Sequence, residues 1–443
     1  MSRMNLIELT ASQAVRFLRS GEISAEDYVK ACLDRISARE EEVQAWVHLD
    51  PEHALAQARA ADEQRRQGKG IGPLHGLPVG IKDIINTGDM PTQNGSALFK
   101  GYQPRDDAFC VSALRAAGAI IMGKTVTTEL ATLTPNKTRN PHNVAHTPGG
   151  SSSGSAAAVA DRMIPAALGT QTGGSVIRPA SFCGIYGLKP TLGLISRRGV
   201  TLQAHTLDTV GVYGRSLEDL ALLTDALSAY DPDDPVSYPR GRTSLSQVLA
   251  ETVPVPPLFA FCKTPPWEQA DAVMREAFEK LVGKLGDRVQ EVPVPSFDAA
   301  FSKHQPAVQG AENAAYYGPL LARAPDAISP GLTARLEAGA KVLAKDYITA
   351  INAREAHYAA IEDVLRHYTA ILIPASAGPA PKGLGSTGSP AFNAVWTYLG
   401  VPCVTLPLLE AEGLPLGVQL VGMRRDEGRL LRTARWLVEH LRK

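Results

Sequence analysis

The sequence has no excess of charge of either sign, because 45 lysines and arginines balance 45 aspartates and glutamates among 443 residues. This balance provides no general electrostatic attraction to nucleic acid or to an anionic membrane. The five cysteines lie far apart and form no Cys-x-x-Cys pair, which disfavours a disulfide framework or a zinc knuckle. No apolar run reaches the length of a membrane span, and the first residues lack the apolar core of a secretory signal. We therefore expect a cytoplasmic protein that binds neither nucleic acid nor membrane.

What the chain does contain is two runs of small residues, Gly149–Ser155 and Gln171–Ser175. Glycine lets the backbone bend sharply and approach a bound group, and consecutive N–H groups in such turns suit an anion or a developing oxyanion. A serine closes the second run, and a serine hydroxyl needs a base before it acts as a nucleophile. None of the ten histidines stands in a context typical of that base, whereas Lys82 directly follows the apolar run Pro78–Ile81. Because burial disfavours the ammonium form, a buried Lys82 is a candidate base.

Three stretches of the chain resemble the amidase signature family of serine hydrolases. Gly-Gly-Ser-Ser-x-Gly-Ser, then Thr-Gly-Gly-Ser and Arg-Pro-Ala-x-x-Cys-Gly-x-x-Gly-x-Lys-Pro, lie in Asn140–Pro190, which matches almost continuously. Leu74–Asp83 matches upstream, and Gly400–Gln419 matches near the end. The resemblance covers nearly the whole chain and is weak between about 231 and 390.

The resemblance implies an amide hydrolase with a Ser-cisSer-Lys triad and an acyl-enzyme intermediate. Neutral Lys82 takes a proton from Ser151, Ser151 takes one from Ser175, and Ser175 attacks the carbonyl carbon. The peptide bond before Ser151 is cis in the family, and Ser152 orients the relay. The oxyanion hole consists of the backbone N–H groups of Thr172, Gly173, Gly174 and Ser175. The family chemistry requires no cofactor and no metal.

The resemblance also implies the fold, an α/β/α sandwich with a large mixed β-sheet covered by helices on both faces. We expect one amidase signature domain over 1–443, with N-terminal helices in 1–70, a signature core in 71–230, a variable helical pocket region in 231–390 and a C-terminal strand and helix in 391–443. Alternating apolar runs and helical patterns agree with a covered sheet. The patterns predict strands over Leu77–Ile81, Ala119–Met122, Ala370–Pro374 and Cys403–Pro407, and helices over Ser12–Leu18, Ser24–Ile36, Pro51–Gln67, Val111–Ala117, Ser155–Asp161, Ser216–Ala229 and Ala338–His367.

One departure from the common family pattern concerns the residues around the nucleophile. Many members have aspartate before Thr-Gly-Gly-Ser and an arginine two positions after the nucleophilic serine. This chain instead has Gln171 before the motif and Arg178 three positions after Ser175. This variant is similar to the malonamidase-like branch, in which the arginine binds a substrate carboxylate. A guanidinium group suits bidentate carboxylate recognition. Gln171 and Arg178 are therefore candidate substrate-binding residues, and for Arg178 the alternative is a structural pair with a nearby acidic group.

Other patterns in the chain point to different chemistry. Gly150–Gly154 fits the nucleophile elbow of α/β-hydrolases and would make Ser152 the acylated residue, although that motif must follow a strand. Gly118–Thr125 spells a P-loop, but its middle residues favour a buried strand. His142 and His146 have the spacing of helical zinc ligands, but prolines on either side argue against a helix there.

The sequence leaves the substrate open. The chemistry extends from linear amides to carbamates (a urethanase activity) and esters, because all three pass through a similar tetrahedral intermediate. An alternative is the glutamine-dependent amidotransferase role of the family, which needs partner subunits and ATP. Pocket walls are expected from Phe301–Pro319 and Gly383–Trp396, where Tyr316, Tyr317, Phe392 and Trp396 line either a channel or the core. We expect a small-molecule partner and a homodimer.

Overall fold

A large mixed sheet runs through the computed structural model, which describes residues 4–239, 241, 243–294 and 301–442, without the side chains of residues 301 and 302. The strands of this 11-stranded sheet are β1 (Trp46–Leu49), β2 (Pro78–Lys82), β3 (Ile120–Thr125), β4 (Ala166–Gln171), β5 (Tyr186–Lys189), β6 (Thr209–Gly214), β7 (Phe259–Phe261), β8 (Val289–Glu291), β9 (Ala370–Pro374), β10 (Cys403–Ala411) and β11 (Leu414–Val421). Their order across the sheet is β1-β3-β2-β4-β6-β5-β10-β11-β9-β7-β8.

Helices cover this sheet, and along the chain they lie before, between and after its strands. The described α-helices are α1 (Ala11–Ser20), α2 (Ala25–Val43), α3 (Pro51–Arg66), α4 (Phe109–Ala116), α5 (Ser153–Ala160), α6 (Ile177–Phe182), α7 (Leu217–Leu227), α8 (Leu245–Ala250), α9 (Ala272–Leu285), α10 (Phe301–Arg323), α11 (Pro330–Gly339), α12 (Ala344–His367), α13 (Ala391–Tyr398) and α14 (Glu427–Leu441). The α/β fold with a large mixed sheet, expected from the sequence, is confirmed. No helix among the described residues combines the length and apolar character that crossing a bilayer requires.

The centre of the sheet brings together segments far apart in the chain. β2 is parallel to β3 and β4, whereas β6 is antiparallel to β4. The C-terminal ends of β2 and β4 and the N-terminal end of β6 therefore meet at one edge of the sheet. Loops at such an edge are common places for binding and catalytic groups.

Small side chains let α5 approach β4 closely. The helix Ser153–Ala160 consists of serine, glycine, alanine and valine, and all but its last residue are buried. A β-carbon on Gly154 would lie 2.2 Å from the carbonyl oxygen of Ala45 and 2.4 Å from the backbone nitrogen of Val126. Only glycine fits at this contact, which fixes the chain near the end of the first small-residue run.

Most predicted elements are present, with ends shifted by a few residues. The strand expected at Ala370–Pro374 has those bounds, and the one expected at Cys403–Pro407 continues to Ala411. The region 231–390, expected to be mainly helical, also contains the short strands β7 and β8, which pair parallel with each other. The assignment of the whole chain to one domain stays a prediction.

Candidate active site

Lys82 is the last residue of β2, and its amine faces two hydroxyl groups. The Nζ atom lies 2.7 Å from Ser151 Oγ and 2.7 Å from Thr170 Oγ1. Lys82 and Ser151 are almost completely buried, and Thr170 is 5% exposed. Because each hydroxyl can donate or accept, this arrangement suits an amine that changes its protonation state.

Burial lowers the pKa of Lys82 from 10.5 to about 7, and the charge of Asp208 acts in the opposite direction. A buried ammonium is disfavoured because the protein interior replaces its hydration poorly. A substantial fraction of the lysine is therefore uncharged at neutral pH, and its role as the base stays a prediction. Lys124 on the neighbouring strand β3 is also buried, but it lies 3.3 Å from a carboxylate oxygen of Asp83.

The loop before α5 presents Ser151 to Lys82. The Gly150–Ser151 peptide bond is cis, which confirms the expectation from the family resemblance. Thr128 N donates to the carbonyl oxygen of Ser151, and Arg178 Nη2 donates to that of Gly150 at 2.5 Å. Arg178 lies three positions after Ser175, the last residue of the second small-residue run. Its hydrogen bond to Gly150 therefore links the start of α6 to the first small-residue run.

Residues 172–175 form a loop between β4 and α6, here called the oxyanion loop. Gln171 Oε1 accepts from the backbone nitrogens of Val176 and Ile177, and Gln171 Nε2 donates to Thr397 Oγ1. Thr397 Oγ1 in turn donates to the carbonyl oxygen of Gly173. The side chain of Gln171 is therefore packed against the oxyanion loop, where its amide oxygen accepts hydrogen bonds from the turn that leads into α6.

Ser175 and Ser152 lie in different environments at this site. Ser175 is 8% exposed, and the hydroxyl of Tyr213 donates to its carbonyl oxygen at 3.1 Å. Ser152 is fully buried, and its hydroxyl bonds both the carbonyl oxygen and the backbone nitrogen of Thr170 at 3.2 Å. The described residues just before Ser152 form turns and bends rather than a strand. This geometry does not fit a nucleophile elbow, in which a strand leads into the serine.

The guanidinium group of Arg178 is buried and bonds neutral oxygen atoms. Its Nε donates to the carbonyl oxygen of Thr387 at 2.7 Å, and Nη2 contacts Thr387 Oγ1 in addition to Gly150 O. Nη1 is buried and has no hydrogen-bond partner. Burial lowers the pKa of Arg178 to about 10. Among the described residues Arg178 forms no ion pair, so the acidic structural partner considered from the sequence is not found there.

The P-loop pattern and the pair His142 and His146 have structural roles in the fold. Gly118–Thr125 contributes the buried strand β3 in place of a phosphate-binding turn. His142 Nε2 contacts the carbonyl oxygen of Cys183, and His146 Nδ1 contacts that of Ala380. The described part of the chain has no group of three or more side chains arranged to hold a metal ion.

A cavity of about 280 Å³ lies beside the oxyanion loop. Its walls come from both segments predicted to form the pocket and from one that was not predicted; they are Thr264, Pro265, Pro266, Gln269, Gln305, Pro306, Ser389, Pro390, Ala391, Ala394 and Val395. Pro390 connects this cavity to the loop, since its Cβ lies 3.4 Å from where a β-carbon on Gly173 would be. Of the four aromatic residues left open, Tyr317, Phe392 and Trp396 pack in the core and Tyr316 is 42% exposed.

Sequence reasoning missed three residues that contact the predicted ones. They are Thr170, which bonds Lys82, Thr387, which bonds Arg178, and Asp208, which accepts a hydrogen bond from Thr172 Oγ1. Thr170 lies in β4, a strand that the sequence analysis did not predict, directly before the Gln171–Ser175 run. Thr387 and Asp208 reach the site from distant loops, and no local pattern marks them.

The chain is similar to known proteins over nearly its whole length. The Amidase family model matches residues 27–431. One component of the glutamyl-tRNA(Gln) amidotransferase of Chloroflexus aurantiacus is 34% identical over 472 aligned positions, covering 98% of this chain and 96% of that protein. The solved peptide amidase of Stenotrophomonas maltophilia is similar with a TM-score of 0.81 and 28% identity, covering 98% of this chain and 97% of that one. A chain from a vestigial protein complex, described as revealing the evolutionary origins of an s-triazine catabolic enzyme, has a TM-score of 0.91 at 28% identity, with 97% and 98% covered.

Proposed function

Because the chain belongs to the amidase signature family, we propose that it hydrolyses the C–N bond of a linear amide through an acyl-enzyme on Ser175. The observation that carries the proposal is the contact of 2.7 Å between Lys82 Nζ and Ser151 Oγ in a buried setting. A neutral amine there can accept the Ser151 proton while one of its own N–H groups donates to Thr170. Ser151 then accepts the proton of Ser175 as the new C–O bond forms.

The remaining residues support this reaction by holding groups in place. The backbone N–H groups of Thr172, Gly173, Gly174 and Ser175 are the proposed oxyanion donors. Loss of one such donor typically lowers turnover by about 100- to 1000-fold, so a loop that holds all of them in place matters for the rate. Ser152 positions the backbone of Thr170, and Gln171 holds the turn before α6. The proton returns through Ser151 to the leaving amine, and water then cleaves the acyl-enzyme.

Labelling by a fluorophosphonate tests the proposal. We expect peptide mapping to locate the adduct on Ser175, with no adduct on Ser152. The Ser175→Ala variant should lose the label, and Lys82→Met should lose at least about 1000-fold in turnover, since it lacks the base for the nucleophile. Lys189→Met removes another fully buried lysine, whose amine donates to the carbonyl oxygens of Pro190 and Val401, and serves as the matched control that keeps activity. Persistent labelling of Ser175→Ala, or full activity of Lys82→Met, contradicts the proposal.

We further propose that Arg178 binds an acidic group on the acyl side of the substrate. Its charge is buried and bonded to neutral oxygens, and Nη1 still lacks a partner. Because carbonyl oxygens already occupy Nε and Nη2, the carboxylate would be held from the Nη1 end, without the bidentate grip expected from the sequence. Carbamates and esters are further substrates of the same site, because they form a similar tetrahedral intermediate.

The second candidate function is glutamine-dependent amidotransfer. It is favoured by the similarity to a component of a glutamyl-tRNA(Gln) amidotransferase over nearly the full length of both chains. The free-standing hydrolase is preferred because the Gln171 and Arg178 variant is similar to the malonamidase-like branch.

The cavity lined by proline and alanine supports an apolar group on part of the substrate.

A further inference from the structure

Asp208 is a buried carboxylate to which the proposed reaction has so far assigned no role. It directly precedes β6 and is 5% exposed. One of its oxygens accepts a hydrogen bond from Thr172 Oγ1, and the other accepts from the backbone nitrogens of Gln203 at 2.7 Å and Ala204 at 3.1 Å. A buried carboxylate is costly unless donors satisfy it. Three donors from two separate loops satisfy the carboxylate of Asp208 and hold it in one position.

The sheet places Asp208 and Lys82 on either side of the end of β4. β2 and β4 are parallel neighbours, so Lys82 ends β2 beside the end of β4. β6 is antiparallel to β4, and its first residue, Thr209, pairs with Gln171. Asp208 therefore begins at the same edge, with Thr172 of the oxyanion loop attached to its side chain. The negative charge of Asp208 acts on Lys82 across this edge.

Four ionisable groups interact with the charge of Asp208, and His205, which stacks on Tyr316, lies in the same loop as Asp208. The four groups are Lys82, Arg197, Tyr316 and Tyr317. Arg197 already forms an ion pair with Asp234 at 2.8 Å, and burial raises the pKa of both tyrosines. Burial also raises the pKa of Asp208, while its hydrogen bonds and the charge of Arg197 lower it.

We propose that Asp208 positions the oxyanion loop through Thr172 and supplies the counter-charge for Lys82 when the lysine has accepted a proton. The inference rests on the proposed function, in which Lys82 is the base. In the acylation step Ser175 Oγ bonds the carbonyl carbon and the C=O electron pair moves to the oxygen. The Ser175 proton passes to Ser151, and the Ser151 proton passes to Lys82. Asp208 gains and loses no proton.

The position of Thr172 matters because two glycines follow it. Gly173 and Gly174 make the backbone of the oxyanion loop flexible. The N–H groups of this loop must nevertheless keep their directions during the reaction. Thr397 fixes the carbonyl of Gly173, and Asp208 fixes the loop one residue earlier. The two contacts bracket the peptide whose N–H belongs to Gly173, so each limits the rotation that would turn this donor away.

The pH dependence of kcat/KM in Asp208→Asn tests the counter-charge. Lys82 must be uncharged to act as a base, so kcat/KM rises as pH rises through the pKa of Lys82. Asp208 stabilises the ammonium and raises that pKa, so removing its charge should move the acidic limb to lower pH. We expect kcat on the plateau to change little in this variant, because the amide that replaces the carboxylate keeps a hydrogen bond to Thr172 Oγ1.

Two further variants separate this role from a purely structural one. Thr172→Val removes the hydroxyl and keeps the carboxylate, so kcat should fall with little change in KM or in the acidic limb. Asp219→Asn removes another buried carboxylate, which accepts from the backbone nitrogens of Ser12 and Arg215 at the start of α7. This control should lower the melting temperature and leave the limb unmoved.

Several results would overturn the inference. One is a folded Asp208→Asn variant whose kcat/KM falls at the same acidic pH as in the wild type. Another is an equal shift of this acidic limb in Asp219→Asn. If Asp208→Asn does not fold, wild-type kcat in Thr172→Val rejects the positioning role. An inactive Lys82→Met beside an unmoved limb in Asp208→Asn rejects the inference and leaves the proposed function standing. An active Lys82→Met rejects both.

Discussion

At the scale of single residues, the site depends on how buried positive charges are partnered. Lys124 and Arg197 face carboxylates, whereas Lys82 and Arg178 face hydroxyl and carbonyl oxygens. Burying a charge with no carboxylate in hydrogen-bond contact is costly, and burial lowers the pKa of both Lys82 and Arg178. For lysine this is useful, because it yields a neutral amine near pH 7. For arginine it leaves a site that favours an anion from outside the chain.

Replacing Arg178 tests whether that anion belongs to the substrate. We expect Arg178→Ala to lower kcat/KM for malonamate by about 10- to 100-fold, because a hydrogen bond to a charged group is worth about 1.5–3 kcal/mol. Hydrolysis of propionamide, which has no carboxylate, should change far less. Steady-state ammonia release from both substrates measures the difference.

Arg424→Ala is the control for this comparison, since it removes an arginine that pairs with Glu355 on an exposed surface. Equal losses for malonamate and propionamide would show that Arg178 acts only as a clamp on the carbonyl of Gly150.

The residues that sequence reasoning found and missed differ in how they reach the site. Lys82, Ser151 and Ser175 lie in motifs that can be recognised along the chain, and the structure joins Lys82 to Ser151 directly. Asp208 meets Thr172 across 36 positions, and Thr387 meets Arg178 across 209. Such contacts depend on the folded arrangement of loops, which no local pattern contains.

At the scale of elements, the sequence predicted four of the strands, β2, β3, β9 and β10, and missed the other seven. β2, β3 and β9 are buried along their whole length and carry apolar runs, whereas the equally buried β4 and β6 are interrupted by glycine and threonine. β7 and β8 have three residues each, too few to show a period, and β8 has two exposed residues. They become strands because β7 pairs with β9 and β8 pairs with β7.

The walls of the cavity beside the oxyanion loop provide a test at this scale. Ala394 on α13 is partly exposed and lines the cavity. Ala394→Phe should fill part of this space and lower kcat/KM at least about tenfold for amides with a bulky apolar group, since losing two buried methylenes costs about 1.6 kcal/mol. Small amides should be hydrolysed at nearly the wild-type rate.

Ala277→Phe is the matched control, because it makes the same change at a partly exposed position on α9, in a separate surface groove. If Ala394→Phe affects small and bulky amides alike, the cavity does not bind the substrate.

At the scale of the whole molecule, the question is whether the chain acts alone. Its 45 basic and 45 acidic residues balance, so its net charge favours neither a free-standing enzyme nor an assembly. The similar protein of Chloroflexus aurantiacus is part of an amidotransferase, and the similar peptide amidase is a hydrolase. The same fold therefore serves both kinds of protein, and only the assembly and the site distinguish them. A homodimer and a cytoplasmic location stay predictions, and light scattering of the purified chain measures the first.

We expect the purified chain alone to release ammonia from a linear amide, with no effect of ATP. The reason is that Lys82, Ser151 and Ser175 all come from one chain and the buried base needs no contribution from a partner. The measurement compares ammonia release from malonamate, propionamide and glutamine, with and without ATP, by the wild type and by Ser175→Ala. The Ser175→Ala protein shows how much release comes from contaminants. An inactive isolated chain, together with glutamine-dependent transfer by a complex purified with its partner subunits, would instead establish the amidotransferase role.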